Sequence, residues 1–230
     1  MLFTNPRAAR TAYPASLRNI LSVERTRESR DWLSGWDQLS HEPTPLWRLP
    51  GLAQQLGIAS FSLKDESLRS SLGSFKALGA SIALVRLILR TMPNAGFEPK
   101  ALISGSYKDR LGDFVAISAT DGNHGRSLAA AAQSIGCQCV IVLHANVSQE
   151  REQAIAHYGA RIIRIKGGYD ESVEYAAQLA RENDWLVVSD TSYEGYETVP
   201  RDVMQGYGMM VEEIIEQTAE EGTKACPFTH

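Results

Sequence analysis

The sequence predicts an α/β fold in which parallel strands are flanked by helices. Two observations carry that reading. Val- and Ile-rich runs alternate with amphipathic stretches from residue 114 to 190, and successive runs start at intervals of roughly 23 residues. The segments share no motif, so the period reflects βαβ units with right-handed crossovers rather than a solenoid.

The elements follow in order. Residues 1–50 hold three tryptophans and several prolines, including EPTPLWRLP (42–50), and read as an arm packed onto the body. FSLKDES (61–67) reads as a strand running into a turn, and SFKALGASIALVRLILRTM (74–92) as a long helix stopped by Pro93. Residues 93–113, rich in Gly, Pro and Lys, read as a loop. Strands are then expected at 114–120, 139–145, 161–167 and 185–190, with helices at 124–136, 149–159 and 170–183 between them. After Asp190 the chain reads as irregular until a last helix at 207–221. The expected organisation is an arm and part of a large domain at 1–80, a smaller βαβ domain at 81–200, and the start of a return to the large domain at 201–230. A sheet element should follow that last helix, so the sequence reads as truncated. On that reading the small domain could fold alone, and the rest would keep apolar faces uncovered.

A net charge of −4 gives no electrostatic case for nucleic acid or anionic membrane, and no apolar run approaches the roughly 20 residues of a bilayer span. The N-terminal residues carry arginines but no continuous apolar core, so no secretory signal is expected; an organelle-targeting segment is the minority reading. An odd count of three cysteines points to a reducing, cytoplasmic setting. Cys137, Cys139 and Cys226 read as buried or idle thiols, and no histidine pair stands at ligand spacing, so no metal is expected.

Three stretches fall where strands of such a sheet end and helices begin, the position at which ligands bind. In TDGNHG (120–125), Gly122 and Gly125 permit tight backbone, Asn123 can both donate and accept, and exposed amides at the helix start can hold a carboxylate. A plain capped turn explains these residues equally well, and His124 by itself reads as structural. In SSLGSFKALGA (70–80), small residues around Lys76 leave room for a neighbouring helix or a flat ligand. Lys76 stands near a helix start, where the dipole disfavours its positive charge; a neutral lysine traps carbonyls, and a surface lysine is the commoner outcome. Asp190, closing WLVVSD, reads as a further polar group or as a loop cap.

In combination these stretches resemble the fold-type II pyridoxal-phosphate enzymes (tryptophan synthase β-like), and within them the diaminopropionate ammonia-lyases. The likeness is carried by SFKALGA (74–80), TDGNHG with Thr120 and Asp121 where dehydratases carry a serine-containing S-x-GNH loop, and SDTSYEGYETVP (189–200). The resemblance implies that Lys76 forms the Schiff base with pyridoxal 5'-phosphate and that Phe75 braces the ring pocket. Small residues beside the lysine would admit the ring, and Asn123 would bond the ring's 3-hydroxyl. The substrate carboxylate would lie on the 120–124 loop, against Thr120, Asp121, Gly122, Asn123 and His124. Asp121 and Asp190 would be the bases for the D- and L-isomers of 2,3-diaminopropionate, giving pyruvate and two ammonia by α,β-elimination. The resemblance also implies a homodimer and a glycine-rich phosphate loop downstream of 207–221, which is not found; Gly167-Gly168 stands in the wrong place for it. Reduced or absent activity is the corollary. Alternatives are a serine/threonine dehydratase-like deaminase and an inactive remnant or binding module. A nucleotide-binding α/β protein is disfavoured by the lack of a G-x-G-x-x-G or Walker-type loop.

Overall fold

The computed structural model describes residues 12–220. Two helices, α1 (Ala15–Arg18) and α2 (Val23–Leu33), come first, and the Ser22 hydroxyl caps α2 by accepting from the Arg25 amide. Strand β1 (Leu46–Arg48) pairs antiparallel with β2 (Ser62–Lys64) around α3 (Pro50–Leu56). Then follow α4 (Lys76–Thr91), α5 (Pro99–Ile103), β3 (Val115–Ala119), α6 (Asn123–Ile135), β4 (Gln138–Leu143) and α7 (Gln149–Ala156). The series continues with β5 (Arg161–Arg164), α8 (Tyr169–Asn183), β6 (Leu186–Val187) and α9 (Thr198–Glu220).

Strands β5-β4-β3-β6 form one parallel sheet in that spatial order. Alternate residues of β3 and β4 face opposite sides, as the pleat requires. Ala116, Cys139, Ile141 and Leu143 pack with α4 and α6, whereas Ile117, Ala119, Val140 and Val142 pack with Ala176 and Ala180 of α8. The order doubles back at β3, so the carboxyl ends of β3 and β6 flank a topological switch point.

Three sequence expectations change in detail. The loop expected at 93–113 contains α5, because Pro99 suits a first helical position and the Glu98 carboxylate accepts from the Ala101 amide at 2.8 Å. The segment 61–67 is, as expected, a strand running into a turn: the strand ends at Lys64, where Asp65 accepts from the Ser67 amide and leads into a 3₁₀ turn at Glu66–Leu68. The last strand is only Leu186–Val187: the Tyr196 hydroxyl takes the Ser189 amide at 2.8 Å and donates to the Val187 carbonyl at 3.0 Å, so these groups leave the ladder. The final helix starts at Thr198, nine residues before the expected 207. Pro200 lies in its first turn, where a missing N–H costs nothing.

Gly206 and Gly208, poor helix formers, sit inside α9 for a packing reason. A Cβ on Gly206 would collide with the backbone carbonyl of Leu78, and one on Gly208 with the Thr26 side chain. Reciprocally, a Cβ on Gly79 would stand 2.5 Å from the Tyr207 ring and 2.7 Å from Val203. Backbones of α4 and α9 therefore cross with no side chain between them. Gly206→Ala should destabilise the chain by about 1–3 kcal/mol in urea titrations, although alanine is the better helix former by about 1 kcal/mol. A stabilised variant would show that the two helices separate at no cost.

The arm is fastened to α9 by ion pairs. Arg27 Nε lies 2.9 Å from Glu212 and Arg30 3.0 Å from Glu216. Deeper, fully buried Arg69 grips Glu66 and Glu213 with paired bonds of 2.7–2.9 Å, and Lys64 Nζ lies 2.6 Å from Glu213. Burial would raise the Glu213 carboxyl, but hydrogen bonds from Arg69 and Lys64 outweigh it and hold it below the usual range. Among the described residues no helix is long and apolar enough to cross a membrane, and no group of three His, Cys, Asp or Glu could hold a metal ion. Burial pushes the Cys137 thiol up to about 12 and raises Cys139 as well, so neither offers a thiolate near neutrality. Cys226 lies outside the described residues, as do the first eleven.

Candidate active site

Two loops meet at the switch point. One leaves β3 as Thr120-Asp121-Gly122 and enters α6; the other leaves β6 as Val188-Ser189-Asp190. The start of α4 faces them with Lys76 as its first residue, the Lys76 amide donating to the Ser74 hydroxyl at 3.2 Å.

Lys76 Nζ lies 2.6 Å from Asp190 Oδ2, a contact between side chains 29% and 21% exposed. The ammonium also lies 5.4 Å from the Phe75 ring centroid and 5.5 Å from that of Tyr207, and those two rings meet edge to face at 5.0 Å. Burial would lower the lysine's proton affinity, but the Asp190 hydrogen bond, with help from Tyr207, overrides it and holds the ammonium above its ordinary value. This corrects the expectation from the helix dipole alone, which would favour a neutral amine. On Asp190, burial acts upward, and the hydrogen bond and positive charge of Lys76 oppose it, leaving the carboxyl below the usual carboxylate range.

His124 is buried behind this pair. Its Nε2 lies 2.9 Å from the Val188 carbonyl oxygen, and its Nδ1 3.8 Å from Asp190 Oδ2. Burial, which strips an imidazolium of water, keeps it below its ordinary value and neutral.

The other predicted residues line a neighbouring depression. Asp121, Gly122 and Asn123, with Arg126, Glu150 and Arg151, surround an open cavity of about 400 Å³. No side chain caps the first turn of α6, so its leading amides are open to an anion there. Thr120 is buried beneath, its methyl occupying the space that a Cβ on Gly125 would need. Asp121 is half exposed, with His144 Nε2 and an Arg151 guanidinium nitrogen each 3.7 Å from its Oδ2. The Asn146 amide donates to His144 Nδ1 at 3.3 Å, so the His144 proton is on Nε2, facing the carboxylate.

The structure thus joins Lys76, Phe75, Asp190 and His124 in one cluster and Asp121, Gly122 and Asn123 in the next, with α6 between them. Sequence reading missed Tyr207, His144 and Arg151. Tyr207 carried a signal in retrospect: Gly206 and Gly208 on either side of an aromatic ring mark a close helix crossing. Of the two occupants expected beside the small residues around Lys76, the neighbouring helix accounts for Gly79, which faces α9; Gly73, at φ 61°, has open space where a Cβ would point.

The cluster fits pyridoxal phosphate at its ring end. A partly exposed amine stands beside a pair of touching aromatic rings with a carboxylate to exchange protons, and an uncapped helix start lies alongside. Gly167-Gly168 offers no phosphate cradle, because the Gly168 amide is already bonded to the Glu171 carboxylate at 2.9 Å.

Comparison with known proteins gives one consistent answer. A family model described as "Pyridoxal-phosphate dependent enzyme" matches residues 38–226. Diaminopropionate ammonia-lyase of Escherichia coli (strain K12) is 37% identical over 183 residues, which are 79% of this chain and 45% of the relative. Its apo crystal structure superposes with a TM-score of 0.80 at 34% identity, covering 89% of this chain and 55% of that one. More distant is a chloroplastic biosynthetic threonine dehydratase of Solanum lycopersicum, 28% identical over 137 residues, 60% of this chain and 19% of the relative. The chain spans about half the length of the curated ammonia-lyases it matches.

Proposed function

Because this chain belongs to the family of pyridoxal-phosphate dependent enzymes, we propose that it carries the lysine and both proton-transfer carboxylates of a 2,3-diaminopropionate ammonia-lyase. The reaction is α,β-elimination from the D- and L-isomers, ending in pyruvate and two ammonia. The 2.6 Å contact of Lys76 with Asp190, set against two aromatic rings, carries the reading.

Pyridoxal phosphate bound at Lys76 supplies the electron sink for the pair left on the substrate's α-carbon. Phe75 would wall the ring and Asn123 would bond its hydroxyl. Open amides at the start of α6, with Gly122 leaving room beside them, would hold the substrate carboxylate. Thr120 supports that loop from below, its hydroxyl near the Gly122 amide at 3.5 Å. Asp190 takes the α-proton of the L-isomer and Asp121 that of the D-isomer. Both carboxylates also attract the second ammonium of this substrate, a group that a hydroxyl amino acid lacks.

As part of the same reading, residues 81–200 make the smaller βαβ domain, while 1–80 and 201–230 belong to a larger one. Those boundaries fall within α4 and α9, so both helices serve both domains. A cytoplasmic homodimer completes the proposal.

The test is direct. The purified chain is mixed with pyridoxal phosphate, its visible absorption recorded, and any linkage fixed with borohydride and mapped by peptide analysis. The label should fall on Lys76 and vanish in Lys76→Ala. A folded chain that takes no label, or takes it elsewhere, overturns the reading.

A further inference from the structure

The reaction above leaves the His124 imidazole without a task, yet its surroundings are specific. The side chain is enclosed at 3% exposure on the first turn of α6. Its Nε2 faces the Val188 carbonyl at 2.9 Å. A carbonyl only accepts, so the single proton of the neutral ring is on Nε2 and Nδ1 presents a lone pair. Among the described residues Nδ1 has no hydrogen-bond partner. The nearest group of opposite character is Asp190 Oδ2 at 3.8 Å, the same oxygen that receives Lys76 Nζ at 2.6 Å. While Lys76 holds Asp190 ionised, two acceptors face each other with nothing between them. One proton on the carboxyl would convert that mismatch into a hydrogen bond.

We propose that His124 is a positioning residue for Asp190: once Lys76 withdraws and Asp190 has taken up a proton, the Asp190 O–H donates to His124 Nδ1. The lysine then gates the carboxylate. Paired with the ammonium, Asp190 stays ionised and weakly basic. Released from it, Asp190 gains an acceptor for the proton it abstracts, and its affinity for that proton rises. No proton need pass to the imidazole, which keeps Nε2–H on Val188 throughout. The groups facing this pair are few. Lys76 and Phe75 approach from the start of α4, and Tyr207 from α9. The Val188 carbonyl approaches from beyond β6. Use of the gate in catalysis rests on the assignment of Asp190 as a base; the hydrogen bond itself does not.

The test needs no turnover. In the 230-residue chain labelled with ¹⁵N-histidine and ¹³C-aspartate, NMR follows His124 Nδ1 and Asp190 Cγ between pH 4 and 8, in wild type and in Lys76→Met. Wild type should show an ionised Asp190 and a free, unprotonated Nδ1 at neutral pH. In Lys76→Met the Asp190 midpoint should rise by at least one pH unit, and Nδ1 should move upfield through that same midpoint as it accepts the hydrogen bond. A midpoint that rises while Nδ1 stays still overturns the proposal, since loss of the ammonium alone would do that much. A proton found on Nδ1 at neutral pH also overturns it. Lys76→Ala reads the same two resonances should the methionine side chain refill the gap. Rates with the two enantiomers report separately on Asp190 as a base, so failure of the gate and failure of that assignment are told apart.

Discussion

Asp190→Asn is expected to slow turnover of L-2,3-diaminopropionate by about 10²–10⁴-fold, the usual worth of a positioned general base, and to leave the D-isomer largely intact. Asparagine matches aspartate in shape and can still accept from the Lys76 amine, so the loss should fall on proton abstraction rather than on the fold. The selectivity follows from where the two carboxylates stand. Asp190 leaves β6 beside Lys76 with His124 behind it, while Asp121 leaves β3 under His144 and Arg151. Initial rates of pyruvate release with each isomer decide the matter. Equal loss on both would remove the division of labour between the two carboxylates.

The largest expected effect on stability is at Arg69. Arg69→Met should cost about 3–5 kcal/mol, because it leaves Glu66 and Glu213 buried beside only one remaining cation, Lys64. The side chain has no exposed surface, so water cannot repair the loss. Removing Glu66 as well, in Arg69→Met/Glu66→Gln, should recover a good part of the cost, since Lys64 and Glu213 then remain as a matched pair. Urea denaturation of the single and double variants gives both numbers. A single variant within about 1 kcal/mol of wild type would mean that the cluster is hydrated in solution.

How much of this was legible beforehand follows from the range of each interaction. Alternation between residues 114 and 183 exposed the βαβ series, because a period of two or of 3.6 is written locally. The loops carrying Asp121 and Asp190 were equally visible as strand ends. What escaped was set by partners distant in the chain. Lys76 looked poised to lose its proton when judged by its own helix, yet Asp190, 114 positions away, reverses the sign. Arg69 drew no notice in the sequence, because its partner Glu213 lies 144 positions on and only the fold brings the two together. Pro200 and Gly206 lie in the stretch that read as irregular before 207; Gly206 is explained by Leu78, which no window along the sequence contains.

Helix α9 deserves to be seen as a piece of mechanical alignment. Its 23 residues form a rod of about 35 Å. Near one end, the glycine crossing seats the rod directly on the backbone of α4, two residues beyond Lys76; farther along, Glu213 clamps it to Arg69 and Lys64. Bare backbone contact has no side-chain slack to absorb a displacement. A shift of the clamp therefore travels to the amine almost undiminished, and a misplacement of about 0.5 Å is enough to spoil a contact as short as that of Lys76 with Asp190. Substitutions around Arg69 too mild to unfold the chain should accordingly behave as faults of aim, felt at an amine that none of them touches.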